Sequence, residues 1–351
     1  MAETASAGKP PRARARLVDV AELSGVTKSV VSRTLNNDPT LRARPETRER
    51  VLAAARQLGY RPHAGARALS VARTGTFAFL IPDLTNSVYA VILRGAIRRA
   101  RELGYVVLIA EDARQSPAGA EEYAELVDAG RVDGLLVASA RPDSPLIAAL
   151  VAQPDSVPHV YVNREVPGSD RNVGMDIRGA SVLAVEYLAG FGHSRIGFVS
   201  GPRGLHPAVA RGEGFAAAMS GLGLAGDLVA SGEFDEEGGF EATHDLLTRA
   251  PDVTALYVST LGQAIGALAA ARAVGRSIPD DLSVICYDDV PMADYLSPSL
   301  TTISMPLDAL GVAAVDALMA QVSGEPARRV SIADHFAVVP RDSVAPPATH
   351  A

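Results

Sequence analysis

From Gly75 onward the chain alternates short, uninterrupted apolar runs with longer stretches of helical periodicity. The runs cover residues 76–82, 105–110, 132–137 and 157–163. A second series follows at 196–200, near Leu228, and at 255–258, 283–287 and 301–304. Helical stretches fall between them at 88–103, 120–129, 146–152, 176–190, 208–222, 237–248, 264–274 and 307–322. Strands apolar on both faces and alternating with helices imply parallel sheets covered by helices on either side. Two such series predict two doubly wound subdomains with a cleft between them. Ligands of such sheets bind beyond the carboxyl ends of the strands.

The amino-terminal stretch has a different pattern. In Leu17 to Asn36, two short helical segments flank Gly25. The spacing of Leu17, Val20, Ala21 and Leu23 predicts the buried face of the first helix. Gly25 supplies a sharp turn through positive φ, and Thr27 is placed to cap the second helix. Val30, Val31 and Leu35 are expected to face inward, leaving Lys28, Ser29, Ser32 and Arg33 outward. A short helix with a small, polar and basic outer face suits a DNA major groove. Pro45 opens a third helix, with Val51, Leu52, Ala55 and Leu58 in a stripe and Gly59 as its stop.

Charge follows the same division. The chain of 351 residues carries a net charge of −7, but residues 1–75 hold 14 Lys+Arg against 6 Asp+Glu, and the remainder 19 against 34. A basic head on an acidic body confines attraction for DNA to the head. The one cysteine, Cys286, excludes an internal disulfide and a cysteine metal cluster, and its apolar run predicts a buried strand position. The first residues lack the apolar core of a secretory signal, and no run reaches the length of a membrane span, so a cytoplasmic protein is expected. Phosphate-binding glycine loops, metal-ligand spacings and a nucleophile elbow are not found, so no cofactor and no enzymatic activity are expected.

Several motifs together resemble the lactose-repressor (LacI) family of bacterial transcription regulators. They are Asp19-Val20-Ala21, Ser24-Gly25-Val26 and Val31-Ser32-Arg33 in the head. In the body they are Arg131-Val132-Asp133-Gly134, Gly192-His193-Ser194-Arg195, Gly201-Pro202, Tyr287-Asp288-Asp289, Leu300-Thr301-Thr302-Ile303 and Arg341-Asp342-Ser343. Tyr60, Pro62, Ala66 and Leu69 resemble the hinge helix of that family. The resemblance implies a homodimer on a palindromic operator, with Leu69 wedged into the minor groove and His63 in the same DNA-binding stretch. It also implies a repressor whose DNA affinity is set by a carbohydrate-like effector. Arg16 departs from the pattern, which has a hydroxyl residue before the first helix.

The expected organisation is a tail at 1–15, a helix-turn-helix headpiece at 16–60 and a hinge at 61–73. An effector domain like periplasmic binding proteins at 74–345 and a tail at 346–351 complete it. Within the effector domain the subdomains are expected at 74–165 with 292–325, and at 166–291 with 326–345. Lys28, Ser29 and Arg33 are the base-reading candidates, and Ser32 the backbone contact. Sugar hydroxyls call for carboxylates and amides, and the ring's C–H face for an aromatic. Asp83, Asn86, Tyr89 and Asn163 meet that need at strand ends. The resemblance points to Arg211, Phe234 and Asp288, and again to Asn163. Thr260-Leu261 stands where the family carries a polar pair, which predicts a more apolar pocket wall. A solute-binding protein of transport shares the cleft architecture, but the basic headpiece and lack of a signal argue against it.

Overall fold

The computed structural model describes residues 15–36, 38, 40–60, 73–111, 130–139, 144–332 and 336–348. The chain divides into two compact units between Thr74 and Gly75. The expected hinge, with His63 and Leu69, and the helix expected at 120–129 lie outside the described residues.

The first unit contains α1 (Leu17–Ser24), α2 (Lys28–Leu35) and α3 (Pro45–Leu58). Gly25 adopts φ 67° and closes α1, which only a residue without a Cβ does cheaply. The Thr27 hydroxyl accepts the Val30 N–H at 3.4 Å. At the start of α1, the Arg16 N–H donates to the Asp19 carboxylate at 2.7 Å, the half of a capping box that satisfies the N-cap amide and not the amides a hydroxyl would bind. Val20, Val31 and Val51 are fully buried and form the small core with Ala21, Ala54 and Ala55. Leu23 corrects the expected burial: it is 48% exposed. Ser24 is buried instead and donates its hydroxyl to the Val20 carbonyl at 2.6 Å. Residues 17, 20, 21 and 24 follow one helical face, and position 23 lies off it.

The second unit holds two six-stranded sheets. The first sheet takes β1 (Thr76–Ile81), β2 (Val106–Glu111), β3 (Gly134–Val137), β4 (His159–Val162), β5 (Asn172–Met175) and β11 (Val330–Ile332), in the order β11-β5-β4-β3-β1-β2. The second takes β6 (Ile196–Ser200), β7 (Val229–Ser231), β8 (Ala255–Val258), β9 (Ser283–Tyr287), β10 (Thr301–Ser304) and β12 (Ala337–Val339), in the order β12-β10-β9-β8-β6-β7. All pairings are parallel except β10 with β12. The connecting helices are α4 (Ser87–Glu102), α5 (Pro145–Ala152), α6 (Ile177–Gly190), α7 (His206–Gly221), α8 (Glu236–Arg249), α9 (Leu261–Ala273) and α10 (Leu307–Val322). One apolar cluster runs through both sheets, joining Ile81, Val162 and Leu310 to Phe198, Tyr257 and Ile303.

The crossings between sheets differ from those drawn from the sequence. β5 belongs to the first sheet, so the first crossing follows Met175 rather than residue 165. β10 belongs to the second sheet, and the return follows Ser304, after which α10 packs on α4. β11 then rejoins the first sheet before β12 ends in the second. Asn172-Val173-Gly174-Met175 and the three-residue edge strands are short and partly exposed. β5 and β11 lack the continuous apolar run by which a buried strand is recognised, whereas β12 sits in the short run Phe336 to Val339. Cys286 is free and fully buried in β9, and burial pushes its thiol pKa well up.

Candidate functional site

The strand ends of the two sheets gather most of the expected effector residues. Asn163 follows β4 with φ 56°, and Asp288 follows β9 with φ 80°. They are the non-glycine residues with positive φ among the described residues. Such backbone conformations cluster where surrounding structure fixes a functional group, and Asn and Asp tolerate them best.

Arg211, in the second turn of α7, is buried at 5% exposure and Asp288 at 2%. Their nearest atoms are 4.0 Å apart, beyond hydrogen-bond reach. The guanidinium carbon lies 4.0 Å above the Tyr287 ring and 5.7 Å from the Phe234 ring, a geometry of cation–π attraction. Arg211 Nε and the Tyr287 hydroxyl are buried without a hydrogen-bond partner. Burial pushes the Asp288 carboxyl up to about 6, outweighing Arg211 and a backbone hydrogen bond from Leu261, which both lower it. Phe234 packs against Gly201 so closely that a Cβ there would lie 2.0 Å from its ring.

On the facing side, Tyr89 is buried in α4, and its hydroxyl accepts from Arg164 at 3.0 Å. Arg164 Nε is held by the Ala138 carbonyl at 2.9 Å. Burial raises the Tyr89 pKa, and the neighbouring Arg164 guanidinium opposes that rise. Asn163 lines a cavity with Arg164, Glu165, His206 and Arg329. Glu165 bridges the sides, 3.4 Å from His206 and 2.9 Å from Arg329. Burial holds the His206 imidazole below its usual pKa.

Two expected residues have local duties. Asp83 accepts from the Thr85 N–H at 2.7 Å and its hydroxyl at 2.6 Å, closing a turn. Asn86 caps α4 by accepting the Val88 N–H at 3.1 Å. The Thr260-Leu261 pair behaves similarly. Thr260 caps α9 by accepting the Gln263 N–H at 3.2 Å, and Leu261 is buried in the second apolar core. Leu261 therefore offers the site its backbone. Tyr287, part of the motif Tyr287-Asp288-Asp289, and His206 are not among the effector contacts expected from the sequence. Tyr287 reads as one more apolar strand residue, and His206 as one residue of a loop.

His193 has a structural environment. Its ring nitrogens meet Thr254 at 2.9 Å, Ser283 at 3.0 Å and the Ala345 carbonyl at 2.9 Å. Among the described residues, no group of three or more His, Cys, Asp or Glu could hold a metal ion, and no helix is long and apolar enough to cross a membrane.

In the first unit, Lys28 and Ser29 are exposed at the start of α2, and Ser32 and Arg33 are half-buried a turn later. Arg33 Nε donates to Asp38 at 2.7 Å, and Nη2 to Thr40 at 2.8 Å. The Arg33 Nε bond, with those that the Thr40 hydroxyl and N–H donate, pulls the Asp38 carboxyl down to about 2.

A helix-turn-helix unit ahead of a two-sheet cleft module defines a DNA-binding transcription regulator with a receptor domain. Residues 16–63 match the bacterial regulatory proteins of the lacI family, and residues 185–344 the periplasmic binding protein-like domain. The ribose operon repressor of Escherichia coli is 33% identical over 313 residues, covering 88% of this chain and 93% of the relative. A transcriptional regulator CelR–cellobiose complex superposes with a TM-score of 0.72 at 30% identity, over 94% of this chain and all of that one. The Lac repressor dimer bound to operator and the anti-inducer ONPF gives 0.83 at 26% identity, over 95% of this chain and all of that one. The chain belongs to the lacI family of bacterial regulatory proteins, which are transcription regulators rather than enzymes.

Proposed function

We propose that the protein is a cytoplasmic repressor that binds a palindromic operator as a homodimer and responds to a polyhydroxylated, carbohydrate-like effector in the cleft. What carries the effector reading is the buried Arg211–Asp288 pair, set 4.0 Å apart with Arg211 Nε unpartnered. A carboxylate accepts and a guanidinium donates, so adjacent hydroxyls of a sugar satisfy both groups where the protein does not. The Phe234 and Tyr287 rings supply apolar faces beside them. Asn163 and Tyr89 complete the set from the other subdomain. Asp83 and Asn86 serve by shaping the rim. The relatives support this reading through their ligands: one is a ribose operon repressor and another was solved with cellobiose.

Lys28, Ser29 and Arg33 read base edges and Ser32 meets the backbone, while His63 and Leu69 act at the hinge as the family resemblance implies. Effector binding changes operator affinity by the coupling free energy between the two sites. Thermal unfolding with ribose, cellobiose and a panel of pentoses, hexoses and nucleosides tests the cleft. A ligand that binds the native state raises the midpoint, with a stabilisation that grows as the logarithm of its free concentration over Kd. No shift with any of them contradicts the carbohydrate reading.

A further inference from the structure

We propose that Asp38 and Thr40 are positioning residues for base recognition, clamping one edge of the Arg33 guanidinium so that its other edge meets a guanine in a fixed orientation. This rests on the reading of α2 as the DNA-reading helix. The clamp is complete on its own side. Arg33 Nε donates to Asp38 Oδ2 at 2.7 Å, and Nη2 to the Thr40 hydroxyl at 2.8 Å. Asp38 Oδ1 accepts both the Thr40 N–H at 2.8 Å and its hydroxyl at 2.7 Å, so the two clamp residues hold each other. The Asp38 N–H returns to the Arg33 carbonyl at 3.0 Å, fixing the loop to the end of α2.

Nε–H and one Nη2–H form one donor edge of a guanidinium. Both Nη1 hydrogens and the second Nη2 hydrogen remain. The end-on edge, Nη1 with Nη2, matches guanine O6 and N7. Arg33 keeps 42% of its side chain exposed, which leaves the guanidinium accessible to a base edge.

The position of Asp38 supports the assignment. A carboxylate just beyond the carboxyl end of a helix opposes the helix dipole, and beside DNA it opposes the phosphates. The contact with Arg33 accounts for its presence on a basic unit. An unclamped arginine reaches phosphates as readily as bases, which adds affinity without discrimination. The clamp therefore lowers attraction to arbitrary DNA and raises selectivity, two effects of opposite sign.

The test starts from an operator enriched from random duplexes by the wild-type full chain. Affinities of the wild type, Asp38→Asn and Thr40→Ala are measured at one salt concentration. The probes are that operator, copies with each guanine replaced in turn by 7-deazaguanine, and a random-sequence duplex. Asp38→Asn retains a side-chain oxygen for the Thr40 N–H, so the loop keeps its turn. The wild type is expected to lose roughly tenfold at one guanine of each half-site. In Asp38→Asn that loss shrinks below about threefold while binding to the random duplex strengthens, with Thr40→Ala in between. An unchanged guanine penalty overturns the clamp, as does equal weakening on operator and random duplex. If the wild type enriches no sequence, the DNA reading itself fails and the clamp with it.

Discussion

Arg211 and Asp288 face each other at 4.0 Å inside the second unit, both nearly fully buried, with the Tyr287 ring 4.0 Å from the guanidinium. Two opposite charges taken from water lose their hydration, and a direct pair recovers it best through short hydrogen bonds. Here the pair stops short of contact and leaves Arg211 Nε without a partner. The arrangement suits a site completed by a third party.

Asp288→Asn keeps the shape of the side chain and removes its charge. It is expected to abolish the stabilisation that a cleft ligand gives the wild type, while operator binding without ligand persists. Differential scanning fluorimetry beside an operator titration checks both halves. An undiminished ligand shift places the ligand elsewhere.

Burial pushes the Asp288 carboxyl up to about 6 in the folded protein, from an ordinary value near 3.8. A group whose folded pKa is raised contributes stability that is full below pH 4 and is lost as the pH rises through 6. The loss is on the order of 2–3 kcal/mol. A ligand that donates to the ionised carboxylate binds in the opposite sense, weakening as the pH falls below 6. Urea unfolding from pH 4 to 7 should show the wild type losing stability relative to Asp288→Asn across this window. Parallel curves contradict the assignment.

Gly201→Ala should displace the Phe234 ring, because the added Cβ lies 2.0 Å from it. Overpacking of this kind costs about 1–3 kcal/mol. The expected result is a lower urea midpoint and a weaker ligand shift together. Loss of stability with an unchanged ligand shift shows that Phe234 does not touch the ligand.

In the headpiece, Val20→Ala and Leu23→Ala separate the two faces of α1. Val20 is fully buried and should cost about 2 kcal/mol. Leu23 is 48% exposed and should change stability by less than about 0.5 kcal/mol. Thermal unfolding followed by circular dichroism of the full chain reads both. A larger cost at Leu23 contradicts the observed face.

The long apolar runs announced their strands, because β1, β4, β6, β8 and β9 are buried on both faces. Gly25 and Thr27 announced the turn and cap of the headpiece for equally local reasons. β5 and the edge strand β11 left no such trace, and the edge strand β12 only the short run Phe336 to Val339. Their pairing is set by a chain that crosses between sheets, and crossing is a tertiary fact. At the cleft, Asp288 and Arg211 are expected from chemistry and family position together, and the structure buries them 4.0 Å apart. The local duties of Asp83 and Asn86 are typical of their residue types at a turn and a helix start. The bond between Arg33 and Asp38 was hidden because side chains five positions apart meet only once the loop after α2 is folded.

On the proposed function, the basic helix-turn-helix unit makes this cleft protein a sequence-specific DNA binder. The most direct measurement is the affinity of the full chain for an operator enriched from random duplexes and for its scrambled counterpart, at one salt concentration. A palindromic site bound at least about a thousandfold more tightly than the scrambled duplex is the predicted result. Equal affinity for the two contradicts it.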